Sequence, residues 1–490
     1  MSTPNQNTNV TYNRCKTWQM GFFALNNTAT NCYMFLMNFV SYYAVGVAGL
    51  LTSIIGIVLT SMRIWDGFTD PIIGFVIDKT DGKLGKFRPF MILGNVILAV
   101  MTLIIFHTTH LVPQSLRLPY FILCYAIYIV GYTFQTACTK AGQNCLTNDP
   151  KQRPVFAMFD GVYNTILFVG MQILISGVFI VKFSADGKSF DASFFHYTNL
   201  IIVAMSAVFT TLAVIGIWSK DRTEFFGTGK AQKVKFSEYV DVIKHNRAIQ
   251  MLIVAASTDK LAGSVMQNSI LVTIMYGIMI GNYALSGKMS MVTLIPTLLL
   301  GLFLMNLSRK TGMKKAIVVS SFGAIVVSVI FGAVMMTGDV TQISLDNMGF
   351  MTIAFIVLMV LRGGITNVSS NLVVPMISDC ADYETYRSGR YVPGMMGTLF
   401  SFVDKLISSL ATTIVSLYLA AIGYATTLPQ IGDAATSELK IFWLLMYVGM
   451  PVVGLVCNLI AMKFYPLDKE KMAEIQESIA EIKAKAAEEA

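Results

Sequence analysis

RIWDGFTDPIIGFVIDKTDGKLGKFR, residues 63–88, is the stretch on which the reading of this chain turns. Its first half lies inside an apolar run and yet carries Arg63, Asp66 and Asp70. Its second half is a short basic loop that enters another apolar run. In a helix, positions 63, 66 and 70 stand at i, i+3 and i+7 and share one face. A charge in the hydrocarbon core of a bilayer costs about 2.5–3.5 kcal/mol on insertion scales. Three on one face persist only against a protein interior or a wet cavity, and ionisable residues so placed are functional by default. A structural Arg63–Asp66 pair is the plainer reading, but one arginine cannot neutralise two carboxylates.

Composition points the same way. Of 490 residues 54% are hydrophobic and 13% charged, with a mean hydropathy of +0.62; soluble domains carry about 25% charged residues. Long apolar runs make this a polytopic membrane protein rather than a globular enzyme. The first run is too long for the apolar core of a signal peptide, so no cleavable leader is expected. Cys15, Cys32, Cys124, Cys138, Cys145, Cys380 and Cys457 form no C-x-x-C pair and no metal spacing, so neither a disulfide framework nor a metal site is expected. The net charge of +8 follows from where the lysines fall and does not call for a nucleic-acid partner.

Twelve spans are predicted, at about 19–45, 50–77, 89–109, 117–147, 154–181, 197–218, 249–280, 287–307, 316–337, 350–378, 394–422 and 439–463. With the N-terminus inside, 26 of the 36 Lys and Arg fall in inside segments and 5 in outside loops. That bias places both termini in the cytoplasm. The charged stretch 219–248 separates six spans from six. The organisation expected is a six-helix bundle over 1–218, a middle loop over 219–248, a second bundle over 249–464 and a cytoplasmic tail over 465–490. GFVIDKTDGKLGKFR after span two is echoed by GLFLMNLSRKTGMKK after span eight, as a duplicated unit predicts. The tail alternates Glu with Lys and reads as a solvated helix.

Five bases (Arg63, Lys140, Lys260, Arg362, Lys405) and five acids (Asp66, Asp70, Asp160, Asp259, Asp404) fall inside spans, which suggests mutual pairing. Sequence neighbours on a helix point about 100° apart, so Asp259–Lys260 and Asp404–Lys405 should each find partners on other helices. Span one carries Asn26, Asn27 and Asn31, span four Thr136, Lys140 and Gln143, and span five Asp160 and Asn164. Amides and hydroxyls suit sugar hydroxyls because each donates and accepts; interhelical hydrogen bonding is their plainer role. A Lys140–Asp160 pair would leave such a pocket neutral, and this is the arrangement favoured; an unpaired Lys140 would suit an anionic glycoside. Asp78, Lys79 and Arg88, facing Asp382 and Arg390 of the 379–390 stretch, are read as a cytoplasmic gate by charge complementarity. No G-x-x-x-x-G-K-[ST] loop is present, which argues against an ATP-driven pump.

At RIWDGFTDP followed by DKTDGKLGKFRPF the chain resembles the glycoside–pentoside–hexuronide:cation symporters of the major facilitator superfamily. SDCADYETYRSGRY, leading to DKLISS in span eleven, is a second match. The resemblance implies an all-α membrane protein of twelve helices in two six-helix bundles. It also implies cation-coupled symport, with Na+ or H+ as the coupling ion and no other cofactor. It places Asp66 and Asp70 at the family's cation carboxylates, Thr69 and Thr133 at the same site, and Lys405 near it; Arg63 joins Lys405 as a coupling residue. Thr136 and Lys140 stand where a well-known member has an aspartate and an aromatic. Its sugar-binding Lys–Asp pair in helix one is replaced by NNTATN, so galactoside recognition is not implied.

The function expected is therefore cation-coupled symport of a sugar or glycoside by alternating access, in the cytoplasmic membrane, by a monomer. A carrier of a lipid-like amphiphile on the same fold, and a membrane sensor that moves nothing, are the alternatives. The polar stripes speak against the first and the paired carboxylates against the second.

Overall fold

The structure, a computed structural model, describes residues 13–80, 82, 84–147, 152–222, 244–388 and 393–488. Helices occupy every predicted span: α1 (Thr17–Met37), α2 (Thr52–Lys79), α3 (Arg88–Thr108), α4 (Gln114–Leu146), α5 (Arg153–Leu174), α6 (Ala192–Ile217), α7 (Arg247–Met266), α8 (Leu285–Thr311), α9 (Met313–Thr337), α10 (Phe350–Ser388), α11 (Pro393–Ala421) and α12 (Ser437–Phe464). A further helix, α13 (Lys469–Glu488), follows. No strand occurs among the described residues. Nine of the described helices are long and apolar enough to cross a membrane, or ten if α7 and its continuation Ser269–Met279, bent by 51°, count as one crossing. α1 and α2 fall short because the polar residues that make them interesting, NNTATN in α1 and Arg63, Asp66 and Asp70 in α2, lower their hydropathy.

The described residues group into two compact units. The first gathers those of Met1–Tyr43, Trp65–Met171 and Ala192–Ala231. In it α1 packs on α6 and α4, and α3 packs on α4 and α6. Met20, Phe23, Ala24, Ile73, Met91, Cys138 and Ile217 form its apolar centre. α3 and α4 approach backbone to backbone: a Cβ on Gly94 would lie 2.9 Å from the carbonyl oxygen of Gly131. Small residues at such a seam are how helices associate where lipid removes the hydrophobic drive.

The turn into α3 belongs to this unit, and it corrects one expectation. Gly85 takes φ +87°, a conformation only glycine adopts freely. This aims the N–H groups of Lys86, Phe87 and Arg88 at one carboxylate, Asp221, at 2.8, 3.0 and 2.9 Å. Arg88 Nε adds a charged contact at 3.3 Å, and its guanidinium lies 4.5 Å over the Trp218 ring. Asp221 is wholly buried and Arg88 nearly so. Arg88 is therefore a buried clasp inside its own unit and not a gate residue. A carboxylate that receives four donors has no capacity left for a mobile partner.

The second unit gathers the described residues of Ala44–Ile64, Gln172–Asp191 and Gln232–Ala490. It thus reaches back to take in the first part of α2. Gly56 lets that segment lie against α11, where an added Cβ would stand 2.6 Å from Ser416 Cβ. Thr60 Oγ1 donates to the Ser409 carbonyl at 2.8 Å and meets Thr413 Oγ1 at 2.6 Å. Elsewhere in the unit α7 packs on α11 and α12, and α10 on α8 and α9. The buried Arg362 of α10 donates to the Tyr447 carbonyl at 2.9 Å and lies 4.6 Å over the Tyr447 ring. Tyr447 sits in a π-helical turn, Leu445–Gly449, within α12, and Trp443 stacks on it at 4.9 Å.

The tail also departs from expectation. α13 is docked on α10, with Ile475 and Ile479 buried in the core of this unit. Gln476 Nε2 donates to Asp382 at 2.6 Å, and the Tyr386 hydroxyl donates to Glu474 at 3.2 Å. Asp382, read as a gate acid, thus serves the docking of α13. The Glu/Lys alternation concealed two isoleucines one turn apart, 475 and 479, that share a face. Arg390 lies outside the described residues, as does the side chain of Asp78; Lys79 is exposed and lies 4.4 Å over the Phe75 ring.

Candidate functional site

In the first unit the α2 carboxylate finds the hydroxyls expected of it. Asp66 is buried, 1% exposed, although it lies in the middle of a 28-residue helix. Thr133 Oγ1 of α4 donates to Asp66 Oδ1 at 3.1 Å, and Thr69 Oγ1 lies 3.1 Å from Thr133 Oγ1. Thr69 also donates to the Asp66 carbonyl at 3.1 Å. Asp66, Thr69 and Thr133 therefore form one oxygen cluster between α2 and α4. Asp70, half-buried, stands one turn further along α2. Pro71 follows it inside the helix and offers no N–H to the carbonyl of Gly67, which adds a free oxygen on the same stretch. Such a set, a carboxylate with hydroxyls and a released carbonyl, is the hard-oxygen chemistry that an alkali cation takes. Arg63 is exposed, and Lys405 of the second unit is half-buried.

A second polar set joins α1, α4 and α5. Asn27 Nδ2 donates to Asp160 Oδ1 at 2.8 Å, and Asn31 Nδ2 donates to Asn164 Oδ1 at 2.7 Å. Both rungs step by four residues on each helix, so they lie one above the other along one α1–α5 seam. Asn27, Asp160 and Asn164 keep partial exposure. On α4, Thr136, Lys140 and Gln143 stand at i, i+4 and i+7; Lys140 is exposed and the other two half-buried. Thr136 and Gln143 donate to carbonyls of their own helix, at Thr133 and Thr139.

Two expectations need correction here. Asn26 is wholly buried and donates to the Gln135 carbonyl at 3.0 Å and to Thr139 Oγ1 at 2.7 Å. It holds α1 to α4 and presents nothing to a ligand. Lys140 makes no ion pair or hydrogen bond among the described residues, and Asp160 accepts from the Asn27 amide. The neutral Lys140–Asp160 pocket is not formed.

Gln135, one of the polar residues of span four, is the hub behind these faces and takes the interhelical role expected of most of them. Buried in α4, it accepts from Thr30 at 2.7 Å and donates to the Met91 carbonyl and Thr210 Oγ1 at 3.1 and 3.2 Å. Its signal was its placement one turn before Thr139 on a helix rich in Thr and amide side chains. In the second unit, Lys260 Nζ meets Asp404 Oδ2 at 2.8 Å, the inter-helix partnership expected of those neighbouring charges.

Long apolar helices that bury a carboxylate–hydroxyl cluster and a polar seam define an integral membrane carrier. The chain belongs to the family described as MFS/sugar transport protein, which it matches over residues 22–469. It is 22% identical over 464 residues to the glucuronide carrier protein homolog of Escherichia coli (strain K12), covering 92% of this chain and 93% of that one. It is 22% identical over 482 residues to the isoprimeverose transporter of Lactiplantibacillus pentosus, covering 96% and 92%. Among solved structures, the nucleoside transporter NupG superposes with a TM-score of 0.62 at 15% identity, over 92% of this chain and 99% of that one. At that identity the likeness speaks for the major-facilitator fold alone. The fold expected from the sequence and the family it resembles are thus both found.

Proposed function

We propose that this protein is a cation-coupled symporter of sugars or glycosides in a cytoplasmic membrane, working by alternating access with both termini on the cytoplasmic side. The observation that carries the reading is the Asp66–Thr133–Thr69 cluster. A carboxylate buried at mid-span is costly in its charged form. A cation that binds there removes that cost and so shifts which conformation is favoured. For sodium, Asp66, Thr69, Thr133 and Asp70 supply the oxygens; for a proton, one carboxylate suffices. Sugar binds to the half-exposed amides and carboxylate of the α1–α5 seam and to α4. Each ligand raises the affinity of the other by the same factor, as linkage requires.

Lys140 sharpens the substrate class. An exposed ammonium with no partner among the described residues, in the middle of a polar α4 face, favours a glycoside that carries a carboxylate. The relatives' names, a glucuronide carrier homolog and an isoprimeverose transporter, bracket that choice between an anionic and a neutral sugar.

The test is reconstitution in liposomes. With Asp66→Asn, exchange of labelled sugar is expected to persist while uphill accumulation is lost, and imposed sodium and pH gradients tell the two ions apart. Full accumulation by the Asn variant would remove Asp66 from the coupling site. Lys140→Ala is expected to stay folded and to lose methyl glucuronide selectively over isoprimeverose.

A further inference from the structure

The second unit carries a polar face that the cation site and the α1–α5 seam do not use. It runs along α7. Lys260, Gly263, Ser264 and Gln267 stand at i, i+3, i+4 and i+7 and so share one side of the helix. That side is open. The Lys260 side chain is 59% exposed, Gln267 is exposed and Ser264 half-exposed. A Cβ placed on Gly263 would meet nothing within 4 Å. Ser264 and Gln267 make no side-chain hydrogen bond among the described residues. From α11, Asp404 closes the face at 2.8 Å from the Lys260 ammonium.

Depth rules out two ordinary explanations. Lys260 lies thirteen residues from the start of α7, about 20 Å along the axis at 1.5 Å per residue. That is beyond the reach of a lysine side chain to either end of a crossing that continues to Met279, so snorkelling does not account for it. An exposed ammonium at that depth cannot face lipid; it faces water. Nor does the pair serve as a staple. α7 and α11 already pack against each other, and an ion pair with a water-reached ammonium adds little to stability. The backbone points the same way: the helix breaks at Gln267–Asn268 with a 51° bend. Non-helical backbone at membrane depth is tolerated where it is buried in protein or lines a wet cavity, and discontinuous helices are where carriers place substrate sites.

We infer that Lys260, Ser264, Gln267 and Asp404 form a second sugar-binding face, carried by the second unit, that recognises ring hydroxyls of the transported sugar. The Lys260–Asp404 pair offers a charged donor and a charged acceptor side by side, the complement of two vicinal hydroxyls, each of which gives and takes a hydrogen bond. Gln267 adds an amide one turn on, and Gly263 leaves room for a ring to approach the backbone. The inference rests on the functional reading above.

The experiment uses the full-length protein in liposomes, with isoprimeverose and methyl glucuronide as probes at saturating coupling ion. Lys260→Met with Asp404→Leu removes both charges together and leaves none unpaired. Half-saturation of exchange is expected to rise at least tenfold for both sugars, while the ion concentration giving half-maximal exchange stays within about twofold. Gln267→Ala leaves the pair intact, is not exposed to a folding defect from lost charges, and is expected to weaken both sugars three- to tenfold. Wild-type half-saturation in either the double variant or Gln267→Ala overturns the inference while the functional reading stands. So does a purely structural pattern, in which each single charge removal lowers the melting temperature and the double variant restores it with unchanged affinity. A wild-type protein that exchanges neither sugar overturns the functional reading, and the second face falls with it.

Discussion

Two turns of this molecule, 84–88 and 312–315, each lead from one long helix into the next, and each carries a glycine at positive φ: Gly85 at +87° and Gly312 at +88°. In the first unit the turn closes on a carboxylate, Asp221, with three backbone N–H groups and Arg88. In the second it closes on a backbone carbonyl: Lys314 Nζ donates to Tyr465 O at 2.6 Å. Asp221 follows α6 and Tyr465 follows α12, so both turns clasp the segment just after the last helix of their half. The backbone solution is shared and the electrostatics differ. Duplication thus preserves what the chain path demands, while the chemistry of the clasp is free to drift. The first clasp depends on a buried charge; the second does not.

The largest expected effect follows from that difference. Asp221→Ala leaves Arg88 buried without its carboxylate and three N–H groups without an acceptor, and should destabilise the protein by about 3–5 kcal/mol, read as a fall in the unfolding midpoint in detergent. A loss under about 1 kcal/mol would put the two clasps on one footing. Next come the glycines. Alanine at either position should cost about 1–3 kcal/mol in backbone strain. Gly85→Ala should cost more than Gly312→Ala, because its Cβ would collide with the Asp221 carboxylate, whereas at 312 the nearest atom is Lys469 Cβ at 3.5 Å. Equal midpoints for the two variants would show that the clash is relieved by movement of Asp221. The smallest effect belongs to Lys314→Ala, which removes one hydrogen bond to a backbone carbonyl and is expected to cost about 1 kcal/mol. Should Lys314→Ala match Asp221→Ala, the contrast between the clasps fails.

The crossings were legible in the sequence because length and hydropathy are local, and the echo of Gly85 in Gly312 survived as a turn signature. The Asp66–Thr133 contact was reached by family resemblance; spacing alone put Asp66 and Asp70 on one face but could not say which helix would meet them. Asp221 was not legible as a clasp, since it stands in a charged stretch 133 residues after Arg88, where a carboxylate is unremarkable. Lys260 was expected to pair across helices, yet adjacency to Asp259 hid which acid it would choose. Gln267–Asn268 held a readable break: Asn268 caps the next segment by accepting from the N–H of Ile270 at 3.0 Å, an N-cap inside an apolar run. The docking of α13 was missed because two isoleucines among Glu and Lys raise the hydropathy of a helix too little to notice and yet suffice to bury one side of it.

The placement of the four tryptophans gives the molecule its own optical labels. Trp18, Trp65 and Trp218 belong to the first unit and are exposed; Trp443 belongs to the second and is wholly buried. Trp218 lies under the guanidinium of Arg88, so its emission should respond when the Asp221 clasp opens. Trp443 is stacked on the tyrosine that Arg362 covers, so its emission comes from an apolar interior that aqueous iodide does not reach. With Trp18 and Trp65 replaced by phenylalanine, quenchable and unquenchable light would come from different units, and each could be followed in the unlabelled protein as ion and sugar are added.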